Sequence, residues 1–357
     1  EHSFPTRRSS DLSVPEFLQL CSDACVLEVS EGRYRFAHDK LRERVLAELS
    51  PAEMSTLHAQ LAQAIERVHA GSPTYAALLS HHYLGAGRLR EAGAYAAGAG
   101  EAAVLRGALS EAQVLLRRAI DLLPQRPSTY LQRVRLYRFL LHTHLGLGQL
   151  MDRGDEIIEA LQAIAQPMPT QGVALGTAIT GAVLRQVWNR LRPSPAGPPH
   201  RAEDAAVQTE LCYLFQIVSE YLLWKNKPLP GIYYAYAAAN ASERQNDPFV
   251  RSLGYASLSY IFCITPLKAI AQMYATLAEH QYDIAPSKQL IIYPQRGTAF
   301  MYSFSGQLTQ AIRIADSGIA LAQAAGDPIG RLHLLFILWR AQRVQGDIVA
   351  AAATGNS

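Results

Sequence analysis

Eleven histidines and four cysteines are the residues of this chain best equipped for metal or nucleophile chemistry, and their spacing sorts them. Cys21 and Cys25 stand one helical turn apart, with His38 at a tolerable distance for a third metal ligand. A structural zinc site needs a fourth Cys or His, and none follows within a few residues. Together with Cys212 and Cys263, the pair reads as small buried hydrophobes in a reducing compartment. His81 with His82, and His142 with His144, resemble ligand pairs more closely. Side chains one or two positions apart on a helix leave in different directions. With no carboxylate or Cys partner evident, packing or surface roles are expected and no metal site is assigned. The small-residue stretches 98–100 and 172–181 lack the Lys-Ser/Thr ending of a phosphate-cradling loop. Kinase catalytic-loop, serine-elbow and zinc-protease patterns are missing too. No catalytic residues are expected in the chain, and no enzymatic activity of its own.

Binding chemistry is better represented. Aromatic side chains gather at Tyr213 and Phe215, at Tyr221 and Trp224, and at Tyr233, Tyr234 and Tyr236. Of these, Tyr213, Trp224, Tyr233 and Tyr236 are candidates for lining a concave protein-binding groove, because aromatic rings dominate such contacts. The competing reading is core or inter-repeat packing. Arg185, Arg190, Arg192 and Arg201 flank a proline-rich loop at 193–199 and form either an anion patch or a solvated helix end.

The elements that position these residues are helices. Hydrophobic content of 49% is ample for a packed core, and Ala-, Leu-, Gln- and Arg-rich segments favour helix. A net charge of +3 gives no electrostatic footprint for nucleic acid. The longest uncharged runs, 160–184 and 252–267, are broken by prolines or are too short for the ~20 apolar residues a membrane span needs. The protein is expected to be soluble and cytoplasmic, without a membrane partner. Strands are expected only at 25–29 and 33–37, flanking Ser30-Glu31-Gly32, where Tyr34 and Phe36 alternate with Arg33 and Arg35. Helices are expected on either side, at 14–20 and 40–49. Ser50-Pro51-Ala52-Glu53 carries a capping box with proline at the first helical position. Leu57, Leu61 and Ile65 then line one face of a helix through Val68. Further helices fall at 75–85, 88–105, 108–123, 128–146 and 149–166, and after these at 173–192, 201–225, 229–244, 248–264, 267–282, 288–304, 308–325 and 328–345.

The joints repeat. Gly306 to Ala311 and Gly346 to Ala351 share a Gly-x-hydrophobic-x-x-Ala pattern 40 residues apart, and Gly87 to Ala92 and Gly107 to Ala112 are versions of it. Gly closes one helix and the small Ala lets the next pack closely. The pattern resembles tetratricopeptide-type repeats, whose ideal period is shorter at ~34 residues. The fold class is therefore all-α: an α-solenoid of tetratricopeptide-like hairpins, with a small winged-helix-like α/β remnant carrying one β-hairpin towards the N-terminus.

Residues 34–45, Tyr-Arg-Phe-Ala-His-Asp-Lys-Leu-Arg-Glu-Arg-Val, with Leu57-His58 beyond them, resemble the end of the winged-helix region of STAND-class (AAA-type) signalling ATPases. The stretch 200–325 resembles repeat regions linked to adenylate/guanylate cyclases or protein kinases. The resemblance implies a nucleotide sensor at His38, contacting the β-phosphate of ADP in an intact parent, and Asp39 as cap of the next helix. Ala37 stands where one branch of the family has Met. No cofactor is implied for this chain; ATP/ADP with Mg²⁺ is implied for the parent. The partner would be another protein or the parent's own ATPase or output domain. A winged-helix DNA-binding regulator is the alternative, supported by Arg33, Arg35, Lys40, Arg42 and Arg44 and opposed by the acidic, apolar helix that precedes them. His2 to Leu12 reads as the translation of a short-read sequencing adapter. The expected organisation is thus an artefactual segment at 1–12, a partial winged-helix-like remnant at 13–50, a helical linker with first repeats at 51–125, and irregular repeats at 126–357 that are truncated at the C-terminus. Exposed apolar surface is expected at both ends.

Overall fold

Glycine and proline set the joints of this chain, and the helices between them carry the fold. A computed structural model describes residues 13–30, 33–167, 172–191, 202–243, 245, 247–284 and 292–356. Among them are seventeen helices and one antiparallel hairpin, an all-α solenoid with a small β remnant. In order these are α1 (Val14–Asp23), β1 (Leu27–Ser30), β2 (Arg33–Phe36), α2 (Asp39–Ala47), α3 (Pro51–Val68), α4 (Ala76–Gly85), α5 (Leu89–Leu105), α6 (Leu109–Leu122), α7 (Tyr130–Gly146) and α8 (Gly154–Ala163). Then follow α9 (Val173–Leu191), α10 (Ala202–Trp224), α11 (Pro228–Ser242), α12 (Pro248–Phe262), α13 (Lys268–Ile284), α14 (Ile292–Ser305), α15 (Leu308–Ala325), α16 (Pro328–Gln345) and α17 (Ile348–Gly355). No helix among the described residues is long and apolar enough to cross a membrane.

The Gly-x-hydrophobic-x-x-Ala joints behave as their chemistry requires. Gly87, Gly107, Gly306 and Gly346 all adopt positive φ, between 70° and 92°, the left-handed turn that ends a helix at no cost only in glycine. The alanines that follow, Ala92, Ala112, Ala311 and Ala351, are all buried. Aspartates Asp247, Asp327 and Asp347 cap α12, α16 and α17 by accepting hydrogen bonds from Phe249, Gly330 and Ala350 amides, each at 2.9 Å. The Ser50 capping box forms in full, with Ser50 Oγ accepting from the Glu53 amide and Glu53 accepting from the Ser50 amide at 2.8 Å. The single helix expected at 149–166 is divided: Gly148 turns at φ +68°, a 3-10 turn covers Leu150–Asp152, and α8 starts only at Gly154.

The chain forms two compact units, and the division runs through α4. The first comprises residues up to Gly71 together with His81–Leu89. In it, β1 and β2 pair from Leu27↔Phe36 to Ser30↔Arg33, so Ser30 belongs to the ladder and not to the connection. Helix α3 turns inward a face that only partly coincides with the apolar stripe seen in the sequence. Ser55, His58, Ala62, Ile65 and Glu66 are covered to varying degrees, and only Ala62 is fully buried, whereas Leu57 and Leu61 are exposed. The reason is local: Tyr83 Oη donates to Glu66 at 2.5 Å and His58 meets His82, so polar contacts fix the rotation of α3. Val14, Phe17, Leu20, Val45 and Leu46 are likewise exposed on α1 and α2.

The second unit comprises Ser72–Ser80 and Arg90–Ser357. Here helices pack on their sequence neighbours and also next-but-one: α10 on α11 and α12, α12 on α13 and α14, α14 on α15 and α16, and α16 on α17. That ladder is the geometry of a stacked helical repeat. One helix leaves it. α7 packs directly on α10, and α9 is displaced onto α11. At the C-terminal end Val344, Ile348 and Val349 are exposed. Gly254 on α12 lies close against α11: an added Cβ would collide with Ser242 Oγ and lie 3.0 Å from Ala239 Cα. Gly254→Ala must push α11 from α12 and is expected to cost ~1–3 kcal/mol, as overpacked cores do. A urea melt checks this; an unchanged midpoint contradicts the close approach.

A candidate protein-interaction cleft

The displacement of α9 has a physical consequence in the second unit. α9 lies against α11 along one edge, leaving space between α9, α10 and α11. Its position is held by the packing of Ala182 and Val183 on the core and by polar contacts. Asn240 Nδ2 on α11 donates to the Ala182 carbonyl at 2.9 Å, and Asn189 donates to Asn240 Oδ1 at 3.2 Å. Gln186, buried, donates to Glu243 at 3.0 Å, and Tyr255 Oη donates to the same carboxylate oxygen at 2.9 Å. Burial, with that carboxylate, pushes the Tyr255 hydroxyl up to about 12, so it remains a donor.

The resulting cleft has a volume of about 360 Å³, within the usual range for small-ligand sites. Leu211 and Phe215 from α10 and Tyr233, Ala237 and Ala241 from α11 give it an apolar surface. Gln166, Thr177, Gln208 and Asn240 supply amide and hydroxyl groups, and Arg185 on α9 supplies the charge. Arg185 is exposed and has no ion partner among the described residues. Gly181 also lines the cleft, and a Cβ built there meets nothing within 4 Å, so the wall at that point faces open space. On α9, Leu184, Val187, Trp188 and Leu191 are exposed at i, i+3, i+4 and i+7. This apolar stripe has the spacing by which helices dock on one another.

Of the four aromatic residues singled out in the sequence, the cleft takes one, Tyr233. Successive positions on α11 rotate by about 100°, so Tyr234 and Tyr236 turn into the core, where Tyr236 packs edge-on against Phe262. Tyr213 packs internally, its ring 6.0 Å from Phe249 and 5.9 Å from Tyr293. Trp224 is exposed at the end of α10, 6.5 Å from the Phe300 ring, and does not line the cleft. Among the arginines, Arg190 donates to Tyr255 Oη at 3.4 Å, whereas Arg192 and Arg201 lie outside the described residues, as do the 193–199 loop and residues 1–12. Gln166, Gln208 and Asn240 carry no signal in the sequence, since neutral amides become a site only when distant helices bring them together.

His38 is the N-cap residue of α2, exposed, with no side-chain hydrogen bond to the helix. Asp39 is the first residue of α2 and not its cap; it is exposed and lies 3.8 Å from Arg42. Cys25 is exposed and Cys21 partly so, leaving only Cys212 and Cys263 as buried thiols. His142 and His144 go separate ways: His142 faces Tyr293 Oη at 3.3 Å and His144 faces Glu156 at 2.8 Å. Comparison with protein-family models and with curated proteins finds no match for this chain.

Proposed function

We propose that this chain is a non-catalytic interaction and sensor scaffold, and that its α9–α11 cleft receives an extended, acid-bearing protein segment. The observation that carries the reading is the chemistry of the cleft: an apolar strip flanked by amides, with one exposed guanidinium that has no ion partner among the described residues. Apolar surface anchors alternate side chains of an extended peptide, the Gln166 and Gln208 amides satisfy its backbone, and Arg185 selects a carboxylate. A stacked helical array holds such a cleft on a rigid support, which lowers the ordering cost of binding. The sequence resemblance at residues 34–58 supports placing this scaffold in a multidomain signalling ATPase, where segment binding biases an output domain. In that setting His38, exposed at the start of α2, is the nucleotide-sensing residue of the parent and Asp39 its neighbour. Biasing an output requires that the segment bind two states of the parent with different affinity.

The test is a peptide-display selection on the purified chain, counter-selected on Gly181→Phe. A Cβ at Gly181, which lines the cleft, meets no neighbouring atom, and replacing a mid-helix glycine does not weaken the helix. Selected peptides are expected to carry an Asp or Glu beside apolar residues and to lose about tenfold in affinity for Arg185→Ala, a loss of about 1.4 kcal/mol. Peptides that bind wild type and Gly181→Phe equally well would remove the cleft from the account.

A further inference from the structure

Helices α3 and α4 carry three histidines that sequence spacing does not group. His58 projects from the inward face of α3, and His81 and His82 are consecutive on α4; all three belong to the first unit. Consecutive helix positions normally diverge by about 100°. Here the His58 ring stands between the two, and the three ring centroids form a nearly regular triangle, with sides of 5.6 Å (His58–His81), 5.1 Å (His58–His82) and 5.3 Å (His81–His82). His58 Nδ1 and His82 Nδ1 face one another at 2.9 Å. A ligand nitrogen from each residue lies within 4.8 Å of the others, and this is the one such group of three among the described residues.

The surroundings hold these rings in place. Tyr83, next to His82, donates to Glu66 on α3 at 2.5 Å, which fixes the register between the helix holding His58 and the segment holding His81 and His82. Gly85 leaves room for the His58 ring: a Cβ there would fall 2.7 Å from His58 Cγ. His58 and His82 are half-buried and His81 is exposed, so one side of the triangle is open to water.

We propose that His58, His81 and His82 bind a divalent transition-metal ion of the zinc class, with water in the remaining position. Imidazole suits Zn²⁺, Cu²⁺ and Ni²⁺, and three protein nitrogens with one open position is a recurrent arrangement for zinc. Zn–N bonds of ~2.0–2.1 Å in a tetrahedron separate ligand nitrogens by ~3.3 Å. The present spacings, 2.9 Å between His58 and His82 and no more than 4.8 Å across the group, bracket that value. A metal requires unprotonated ligand nitrogens, and an ordinary imidazole is largely neutral at physiological pH. The ion would tie α3 to α4 across the turn that separates them.

Isothermal titration with ZnCl₂ in a non-chelating buffer tests the site, with Co²⁺ absorption as a second readout. The expected result is one equivalent bound, a visible band from four-coordinate Co²⁺, and loss of at least ~10-fold in affinity in His81→Gln, the size of effect that even outer ligand partners produce. His81 is exposed, so this variant keeps the fold. Gly85→Ala, which displaces the His58 ring, is expected to weaken binding similarly, with its folding checked by a melt in EDTA. His280→Gln, at an exposed histidine on α13, is expected to bind as wild type. No stoichiometric binding, unchanged affinity in His81→Gln, or an equal loss in His280→Gln would each overturn the proposal.

Discussion

Acidification from pH 7 to about 4.5 is expected to unfold the repeat array, with a steepness set by two histidines. His142 on α7 and His333 on α16 are each pushed down to about 3, chiefly by burial and then by nearby guanidinium charge. Arg138 and Arg296 act on His142; Arg296 and His142 act on His333. His142 also meets Tyr293 Oη, and His333 Nδ1 accepts from Arg296 at 3.0 Å, which requires that nitrogen to be unprotonated. In the unfolded chain both histidines titrate near 6.5. Above that value neither state binds the protons and stability is complete. Between about 6.5 and about 3 only the unfolded state takes them up, so stability falls as pH falls. Two groups give about 3 kcal/mol per pH unit, or about 5 kcal/mol by pH 4.5. That is comparable to the whole stability of a typical domain. Circular dichroism melts between pH 7 and 4 measure the slope. His142→Gln or His333→Gln is expected to reduce its steepness by about half; a slope that neither variant changes contradicts the assignment.

The second large effect lies in the same cluster. Glu220 on α10 and Arg296 on α14 form an ion pair at 2.7 Å, with side chains only 12% and 10% exposed. Glu220→Ala leaves the guanidinium buried with a neutral imidazole as its remaining side-chain partner among the described residues. Losing one partner of a buried pair costs ~3–5 kcal/mol, because the other charge stays desolvated and uncompensated. Denaturant unfolding of Glu220→Ala should show that loss, and Glu220→Leu with Arg296→Met should recover most of it, since apolar replacement of the whole pair removes both desolvation penalties. A loss under ~1 kcal/mol for the single variant would mean the pair is solvated in solution.

These clusters show where the sequence is legible. Helix positions and joints are local properties: Ser50-Pro51, the aspartate caps and the Gly87, Gly107, Gly306 and Gly346 turns are set by neighbouring residues, and the structure places them as their chemistry dictates. Non-local choices were not legible. The rotation of α3 follows from Tyr83 and His58 contacts rather than from the Leu57–Leu61 stripe. The displacement of α9 onto α11 depends on Asn189, Gln186 and Asn240, polar residues whose pairing has no periodic signature. The cleft exists because of that displacement, so Arg185, Gln208 and Phe215 could not be grouped beforehand, and only Tyr233 among the candidate aromatics reaches it. The same holds for His58, which joins His81 and His82 only once α3 and α4 face each other.

We propose the cleft between α9, α10 and α11 as the place where a protein segment binds. Hydrogen exchange on the chain, with and without a display-selected peptide, tests it most directly. Slowed exchange is expected in α9 around Gly181 and Arg185 and in α11 around Tyr233 and Asn240, with α15 to α17 unchanged and the protection abolished in Gly181→Phe. Protection confined to other helices, or persisting in Gly181→Phe, would contradict it.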